Sequence, residues 1–248
     1  MKREIFQREE LLIGEENLKK LQQKHVAVFG LGGVGSYVVE GLVRAGIGNF
    51  TLIDFDKVDL SNINRQIIAT TKTLGRYKVD VEEERIKEIN PNVNVITYKE
   101  FVGNQNENVE LFEHLKDVDY IVDAIDTVTA KIRIIEFANK NNINIISALG
   151  TGNKLNPTKL KLEDIYNTKV CPLAKVIRKE LRKRNVEKLD VVYSEEEPIK
   201  VPNNEEKKVV GSISFVPSIA GLMISYKVIN NLMQKNCRRN ECRKNIVI

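Results

Sequence analysis

The stretch that decides the fold of this 248-residue chain is Gly30-Leu31-Gly32-Gly33-Val34-Gly35. Its glycines have the G-x-G-x-x-G spacing, with an apolar run (residues 25–29) before them and apolar residues at helical spacing after them. A strand that enters such a turn and a helix that leaves it present backbone N–H groups to a phosphate. The motif therefore predicts a nucleotide-binding β-α-β unit, without saying which nucleotide binds.

A carboxylate follows at the place where a ribose is usually held. Asp54 comes 19 residues after Gly35 and directly after a second apolar run, residues 50–53. A carboxylate at the end of the second strand of this unit accepts hydrogen bonds from ribose hydroxyls. We therefore predict that Gly30, Gly32, Gly33, Gly35 and Asp54 bind the nucleotide.

The rest of the chain continues to alternate between strand and helix patterns. Helices are predicted over 16–24, 76–89, 109–115 and 131–139, with strands over 93–98, 120–122 and 143–147. Beyond residue 150, strands are predicted over 160–162, 190–193 and 212–216, together with a basic helix and an apolar helix that opens at Pro217. The predicted class is α/β, a Rossmann-like, doubly wound, mainly parallel sheet with a C-terminal α+β extension.

Composition limits the compartment and the kinds of metal site. The net charge of +5 permits a polyanionic partner such as RNA without requiring one. The chain has neither a signal-peptide pattern nor an apolar run long enough for a bilayer, so a cytoplasmic enzyme without membrane insertion is predicted. Cys171, Cys237 and Cys242 form no Cys-x-x-Cys pair, so no zinc is expected.

Charged residues after Asp54 favour a polyphosphate. Asp54, Asp56 and Asp59 crowd three carboxylates into six residues, which by itself fits an acidic surface loop followed by a helix cap. Arg76 and Lys78, however, put two cations at a predicted helix start, where the helix dipole disfavours positive charge. A bound polyphosphate would explain cations at that position.

Asp126 completes a set of residues suited to ATP chemistry. It follows a predicted strand, at the sheet edge where ligands gather, and a carboxylate beside phosphates usually implies a divalent metal. A glycine cradle, a ribose carboxylate, the cations Arg65 and Lys78, and a metal-binding Asp126 suit attack on the α-phosphate of ATP. In that reaction charge must be neutralised as pyrophosphate leaves.

Two other classes of protein remain open at this point. An NAD(P)-binding oxidoreductase explains the glycines and Asp54 but leaves residues 62–66 (NINRQ) without a role. A nucleotide-binding regulator without turnover is the other alternative, and the presence of Arg65, Lys78 and Asp126 argues weakly against it.

The order of these motifs resembles the ATP-dependent activating enzymes, which include ubiquitin E1 enzymes and the ThiF and MoeB types. The resemblance covers roughly residues 8–150 and implies Mg²⁺ and ATP, an acyl-adenylate intermediate and a homodimer. By position, it implies that Asn62, Arg65 and Lys78 contact phosphates, that Asp126 holds the metal, and that Arg8 enters the ATP site of the neighbouring subunit. The predicted nucleotide-binding residues are Gly30, Gly32, Gly33, Gly35, Asp54, Asp56, Asn62, Arg65, Gln66, Lys78 and Arg8, of which Arg65 and Lys78, with Asp126, are the predicted catalytic residues.

The second half of the chain, together with residues 8–14, resembles the bacterial tRNA threonylcarbamoyladenosine dehydratases. The likeness lies in residues 8–14 (REELLIG), 148–158 (ALGTGNKLNPT), 171–175 (CPLAK) and 211–217 (GSISFVP). It implies adenylation of the threonyl carboxylate on adenosine 37 of tRNA, then ring closure with release of AMP and pyrophosphate. The chemically related alternative is adenylation of the C-terminal glycine of a ubiquitin-like sulfur carrier, whose activating enzymes usually carry paired Cys-x-x-Cys motifs. A sulfur-transfer protein is a further candidate partner.

The sequence has no internal repeat and no linker long enough to separate two domains, so one domain is predicted over residues 1–248. The resemblance implies that about 1–150 is the ATP-binding half and about 151–248 is an extension that faces the substrate and the dimer partner. The basic helix of this extension is either an ordinary amphipathic helix or a surface for tRNA phosphates. Cys171, at its start, is either a thiol that carries a thioester or a buried structural cysteine. The predicted tRNA-binding residues are Lys175, Arg178, Lys179, Arg182, Lys183 and Arg184.

Overall fold

The computed structural model describes residues 2–103, 107–200 and 210–234. The polar, proline-bearing residues 194–208 have the composition of a mobile loop, and most of them lie outside the described residues. The C-terminal residues with Cys237 and Cys242 also lie outside them. Among the described helices, none is long and apolar enough to cross a membrane.

The described residues form one seven-stranded sheet with the order β3-β2-β1-β4-β5-β7-β6. Neighbouring strands are parallel except for β6, which runs antiparallel to β7 at one edge. The α/β class, the mainly parallel sheet and the extension are thereby confirmed. The strands are β1 (His25–Phe29), β2 (Asn49–Ile53), β3 (Asn94–Tyr98), β4 (Tyr120–Asp123), β5 (Asn144–Ala148), β6 (Leu160–Asp164) and β7 (Asp190–Ser194).

Helices cover both faces of this sheet, because alternate residues of the central strands point to opposite sides. In β1, Val26 and Val28 pack in one hydrophobic cluster with α3, α4, α5 and α9, whereas Ala27 and Phe29 pack in a second cluster with α6, α7 and α8. The helices are α1 (Lys2–Ile5), α2 (Gln7–Ile13), α3 (Glu15–Gln23), α4 (Gly35–Arg44), α5 (Lys78–Ile89), α6 (Val109–His114), α7 (Val128–Lys140), α8 (Pro172–Lys183) and α9 (Phe215–Met233).

The strand predicted over 212–216 is wrong. Residues 210–214 are irregular, and α9 begins at Phe215, two residues before Pro217. Proline fits the first helical turn because its missing N–H would have no partner there. The carbonyl of Ser212 accepts a hydrogen bond from the Asn64 side chain at 3.0 Å instead of joining a strand ladder.

The helices α4 and α9 cross at unusually small residues. A Cβ atom at Gly221 would stand 2.5 Å from the carbonyl oxygen of Val34, and one at Gly41 would stand 2.5 Å from the hydroxyl of Ser225. Ser225 donates to the carbonyl of Val38 at 3.0 Å. This crossing fixes the start of α9 beside the start of α4.

The order of the strands reverses between β1 and β4, since the chain continues from β1 to β2 on one side and places β4 on the other. In open α/β sheets such a switch point opens a crevice at the carboxyl ends of the strands. The ligand site is therefore expected above Phe29 and Asp123, the last residues of these two strands.

Candidate active site

A pocket of about 580 Å³ opens at this switch point. Apart from Gly35 and Arg8, every residue predicted for the nucleotide or metal lines it. Those lining residues are Gly30, Gly32, Gly33, Asp54, Asp56, Asn62, Arg65, Gln66, Lys78 and Asp126.

The glycine loop needs two of its glycines for steric reasons. Gly30 has φ +85°, and a Cβ atom there would stand 2.8 Å from the carbonyl oxygen of Ala124. A Cβ atom at Gly35 would stand 1.8 Å from the carbonyl oxygen of Gly30, so only glycine lets α4 start this close to the turn. Gly35 does not line the pocket, but it allows the glycine loop and the start of α4 to pack against each other.

Asp54 ties the second strand to the glycine loop. Its carboxylate accepts the N–H of Leu31 at 2.6 Å and the N–H of Asp56 at 2.8 Å. Burial raises the pKa of Asp54, while the positive charge of Lys78 acts in the opposite direction. Each carboxylate oxygen retains acceptor capacity, so the side chain can also receive hydroxyl groups of a ribose.

Lys78 is the buried cation of the pocket. Its ammonium lies 2.7 Å from Oδ2 of Asp56, and its side chain is 6% exposed, against 47% for Asp56. Arg76, the other cation predicted at this helix start, is not among the pocket-lining residues and pairs with Glu84 at 2.5 Å. Of the two cations predicted to face a polyphosphate at this helix start, only Lys78 lines the pocket.

The segment from Asp59 to Gln66 serves both structure and site. Asp59 and Asn62 form a reciprocal capping box on a short 3₁₀ helix, Leu60–Asn62. Asp59 therefore caps a helix, which is one of the two explanations that the sequence offered for its carboxylate. Arg65 donates to the carbonyl of Ser61 at 2.7 Å and to the side chain of Asn64 at 3.0 Å. Gln66 is buried, and its Oε1 has no hydrogen-bond partner among the described residues.

Asp126 lies exposed at the pocket rim, in the loop between β4 and α7. Within the described ranges, no group of three His, Cys, Asp or Glu side chains is placed to hold a metal ion. A metal at Asp126 would therefore take its other ligands from phosphates and water. Mg²⁺ usually binds proteins in this way, through one or two carboxylates and substrate phosphates.

The sequence does not predict several features in and beside the pocket. Asp123 and Lys131 do not line the pocket but form a buried ion pair next to the loop that carries Asp126, and the loop after β5 adds Thr151 and Gly152 to the wall. The only signal was a strand-end aspartate followed eight residues later by a helical lysine. The remaining unpredicted members of the wall include Phe55, Phe101, Val210, Ser212 and Pro217.

The basic helix α8 lies away from the pocket, and its cations differ in their surroundings. Arg178 is held by the carbonyl of Thr168 at 3.0 Å, and Arg184 pairs with Glu136 at 3.2 Å. Lys175 and Lys179 are exposed and make no ion pair with another described residue. Lys183 pairs with Glu180 at 2.6 Å, and Arg182 stacks over the ring of Tyr166.

Arg8 and Cys171 occupy contrasting positions. Arg8 is exposed on α2 and does not line the pocket of its own chain. Cys171 is 4% exposed and packs in the second hydrophobic cluster. This position fits a buried structural cysteine and not a thiol that carries a thioester.

The fold and the site together define a nucleotide-binding α/β protein of the kind that activates carboxylates, and comparison with known proteins agrees. Residues 6–247 match the ThiF family. Over 245 residues the chain is 40% identical to the tRNA threonylcarbamoyladenosine dehydratase of Bacillus subtilis, covering 92% of this chain and 94% of that protein. The chain therefore belongs to the ThiF family and, within it, to the tRNA threonylcarbamoyladenosine dehydratases, which confirms the resemblance.

Solved structures of an Escherichia coli relative give the same result. The crystal structure of its tRNA N6-threonylcarbamoyladenosine dehydratase, TcdA, in complex with AMP matches with a TM-score of 0.85 at 32% identity. The match covers 93% of this chain and 94% of that one. The complex of the same enzyme with ATP matches with a TM-score of 0.84 at equal identity and coverage.

Proposed function

We propose that this chain uses ATP to adenylate the carboxylate of N6-threonylcarbamoyladenosine at tRNA position 37 and to cyclise the modified base. The observation that carries the proposal is the pocket at the switch point, where the glycine loop, Asp54, Lys78 and Asp126 meet. The 40% identity to a dehydratase across nearly the whole chain supports the same substrate.

The pocket residues take roles that follow from their positions. Backbone N–H groups of the glycine loop bind phosphates, and Asp54 binds the ribose. Lys78 and Arg65 neutralise charge on the phosphates, while Asn62 and Gln66 offer amide groups to them. Asp126 would hold Mg²⁺, which neutralises charge on phosphate oxygens when bound.

The reaction has two steps. A carboxylate oxygen of the substrate bonds to the α-phosphorus of ATP, the bond to the bridging oxygen breaks, and pyrophosphate leaves. The carbamoyl group of the same nucleoside then attacks the activated carbonyl, which releases AMP and one proton. No external nucleophile is required, in keeping with the burial of Cys171.

Arg8 and the homodimer belong to this proposal. Arg8 is exposed on α2, as a residue that enters a partner's site must be in the isolated chain. Mixing an Arg8→Ala chain with an Asp126→Ala chain tests this. Each variant alone should be inactive, whereas a mixed dimer has one intact site of two, so a randomly associated equal mixture should recover about a quarter of wild-type activity. No recovery in demonstrably mixed dimers would assign Arg8 to its own chain.

The wider setting is also proposed. Lys175, Lys179 and Lys183, one helical turn apart on α8, would contact tRNA phosphates, and a cytoplasmic location would give access to tRNA. Both halves of the chain act as one unit, since the pocket draws on residues 30–127 and on residues 151–217.

Mass spectrometry of nucleosides tests the proposed function directly. Threonylcarbamoylated tRNA is incubated with the protein, ATP and Mg²⁺, then digested. Loss of one water from the modified base, with matching formation of AMP, is the expected result. An unchanged base would reject the proposal, and the same assay with a carrier protein ending in glycine would test the sulfur-carrier alternative.

A further inference from the structure

One wall of the pocket has no assigned role, and it is formed by a segment that we call the strap, residues 210–214. The strap contacts the loop after β5 and leads into α9. Val210 and Ser212 line the pocket, as does Pro217 in the first turn of α9. The inference drawn from it rests on the proposed function, because it concerns the substrate of that reaction.

Hydrogen bonds hold the strap at two adjacent residues, Gly211 and Ser212. The side chain of Asn153 accepts the N–H of Gly211 at 2.6 Å, and the backbone N–H of Asn153 donates to the carbonyl of Gly211 at 2.7 Å. The side chain of Asn64 donates to the carbonyl of Ser212 at 3.0 Å. Asn64 is the neighbour of Arg65, so the strap is tied directly to the predicted phosphate-binding segment.

The loop after β5 is itself held firmly against the strap. A Cβ atom at Gly152 would stand 2.2 Å from a methyl group of Val210, so the two segments are in close contact. The carboxylate of Glu196 accepts the N–H of Asn156 at 2.8 Å, and the carbonyl of Glu196 accepts the ammonium of Lys154. Thr151 and Ser212 are therefore brought to one wall by anchored backbone.

This wall lies at the far end of the pocket from the ribose carboxylate. Asp54 follows β2, whereas Thr151 follows β5, three strands away in the order β2-β1-β4-β5. At the usual strand spacing the separation is about 14 Å. With the ribose at Asp54 and the phosphates over β1 and β4, the group that attacks the α-phosphorus must approach from the β5 side.

The chemistry of the wall suits a carboxylate. The pocket-lining residues contributed by the β5 loop, the strap and the start of α9 are uncharged, and they include two hydroxyl donors, Thr151 and Ser212. Neither hydroxyl makes a hydrogen bond to another described residue. A neutral donor can hold one carboxylate oxygen without cancelling its charge, so the other oxygen keeps its nucleophilicity.

We infer that Thr151 and Ser212 form the acyl subsite, where their hydroxyls donate to one oxygen of the substrate carboxylate while the other oxygen bonds to the α-phosphorus. Asn64 and Asn153 are positioning residues, because they hold the strap and touch no reacting atom. An efficient attack requires the carboxylate oxygen to lie within roughly 3–3.5 Å of the α-phosphorus, and holding the other oxygen would favour that position.

The test separates nucleotide binding from carboxylate activation. Ser212→Ala and Thr151→Val are compared with Ser214→Ala, which removes the same hydroxyl from an exposed strap residue outside the pocket. The dissociation constant for ATP should stay within about twofold of wild type in all three. The kcat for AMP formation with modified tRNA should fall about 10- to 1000-fold in Ser212→Ala and Thr151→Val, as when a donor to reacting atoms is lost. Ser214→Ala should retain its kcat.

A further variant tests one of the anchors. Asn153→Gly keeps the left-handed backbone of Asn153, with φ +56°, and removes its side-chain acceptor, so kcat should fall while ATP affinity remains. Full kcat in Ser212→Ala and Thr151→Val would overturn the subsite, as would an equal loss of ATP affinity. If the wild-type protein forms no cyclic product, the proposed function fails instead, and this outcome is visible before any variant is made.

Discussion

The ammonium of Lys131 lies 3.0 Å from Oδ2 of Asp123, and the two side chains are 1% and 0% exposed. Lys131 also donates to the carbonyl of Ala148 at 2.7 Å, and the hydroxyl of Ser147 donates to Asp123 at 2.6 Å. The other oxygen of Asp123 accepts the N–H of Ile125 at 3.2 Å. The ion pair therefore joins the loop that carries Asp126 to the loop that carries Thr151.

Removal of one partner should leave a buried charge without compensation. We expect Lys131→Met to lower the free energy of unfolding by about 3 to 5 kcal/mol, measured by urea denaturation near neutral pH. The double variant Asp123→Asn, Lys131→Met should recover part of this loss because no buried charge remains. A loss below about 1 kcal/mol in the single variant would mean that water reaches the pair.

The pair between Lys78 and Asp56 predicts a difference between ATP and adenosine. Asp56 competes with phosphate for the Lys78 ammonium, so Asp56→Asn should tighten ATP binding by up to about fivefold, the worth of a half-exposed ion pair. Calorimetric titration should show unchanged adenosine affinity. Lys78→Met is the matched opposite, and should weaken ATP binding but spare adenosine. Weaker ATP binding in Asp56→Asn would assign Asp56 to direct contact with the nucleotide.

The exposed position of Asp126 separates its chemistry from stability. We expect Asp126→Ala to abolish AMP production because it removes the carboxylate proposed for Mg²⁺, with thermal unfolding unchanged. Asp117→Ala is the control, since Asp117 is also exposed but precedes β4 at the opposite end of the sheet. AMP production at the wild-type rate in Asp126→Ala would remove Asp126 from the site.

The contacts on α8 decide which basic residues to alter. Lys175→Ala combined with Lys179→Ala should weaken tRNA binding and reduce the dependence on salt, by about one in the log–log slope for each lysine. Unfolding should be unaffected, since both side chains are exposed. Arg178→Ala should lower stability, because Arg178 holds the carbonyl of Thr168. An unchanged salt slope in the lysine variant would rule out this face as the docking surface.

Glu82 gives a prediction about pH. The residue is 1% exposed, and both carboxylate oxygens lack hydrogen-bond partners within the described part of the chain. Burial raises the pKa of Glu82 well above the usual 4.5, and the negative charge of Glu40 raises it further. Above pH 4.5 the unfolded chain loses this proton while the folded chain retains it, so stability falls as pH rises towards the folded-state pKa.

Glu82→Gln removes that loss. Its free energy of unfolding should exceed that of wild type more at about pH 8 than at about pH 5, as measured by urea denaturation. Glu88→Gln, at an exposed position on the same helix, should show no such difference. A constant gap between Glu82→Gln and wild type at both pH values would contradict the buried neutral carboxyl.

Sequence patterns predicted the central sheet because its strands are buried on both faces and because Gly30 and Gly35 have no room for a side chain. The run at 25–29 and the glycines at 30–35 specify their structure locally. The segment at 212–216 failed because its conformation depends on Asn64 and Asn153, which are distant in the chain. Local β propensity cannot register such a partner.

In the candidate site, too, residues at locally predicted positions could be found from the sequence, whereas contacts between distant residues could not. Asp54, Lys78 and Asp126 were found from their places relative to predicted strand and helix ends, and the structure brings them to one pocket. The ion pair between Asp123 and Lys131 could not be predicted, because in a sequence two buried charged residues cannot be told from two surface charges. Arg178 was grouped with the tRNA contacts for the same reason, although its guanidinium is engaged inside the fold.

The close crossing of α4 and α9 ties nucleotide affinity to residues that touch no ligand. Gly221 lies against the carbonyl of Val34, at the end of the glycine loop, and α9 begins where the strap ends. A methyl group added at Gly221 would clash with the carbonyl of Val34 and push the two helices apart. Because Val34 lines the pocket, this shift would widen the pocket. Tolerance to sequence change should therefore be as low at this helix crossing as at the residues that meet the phosphates.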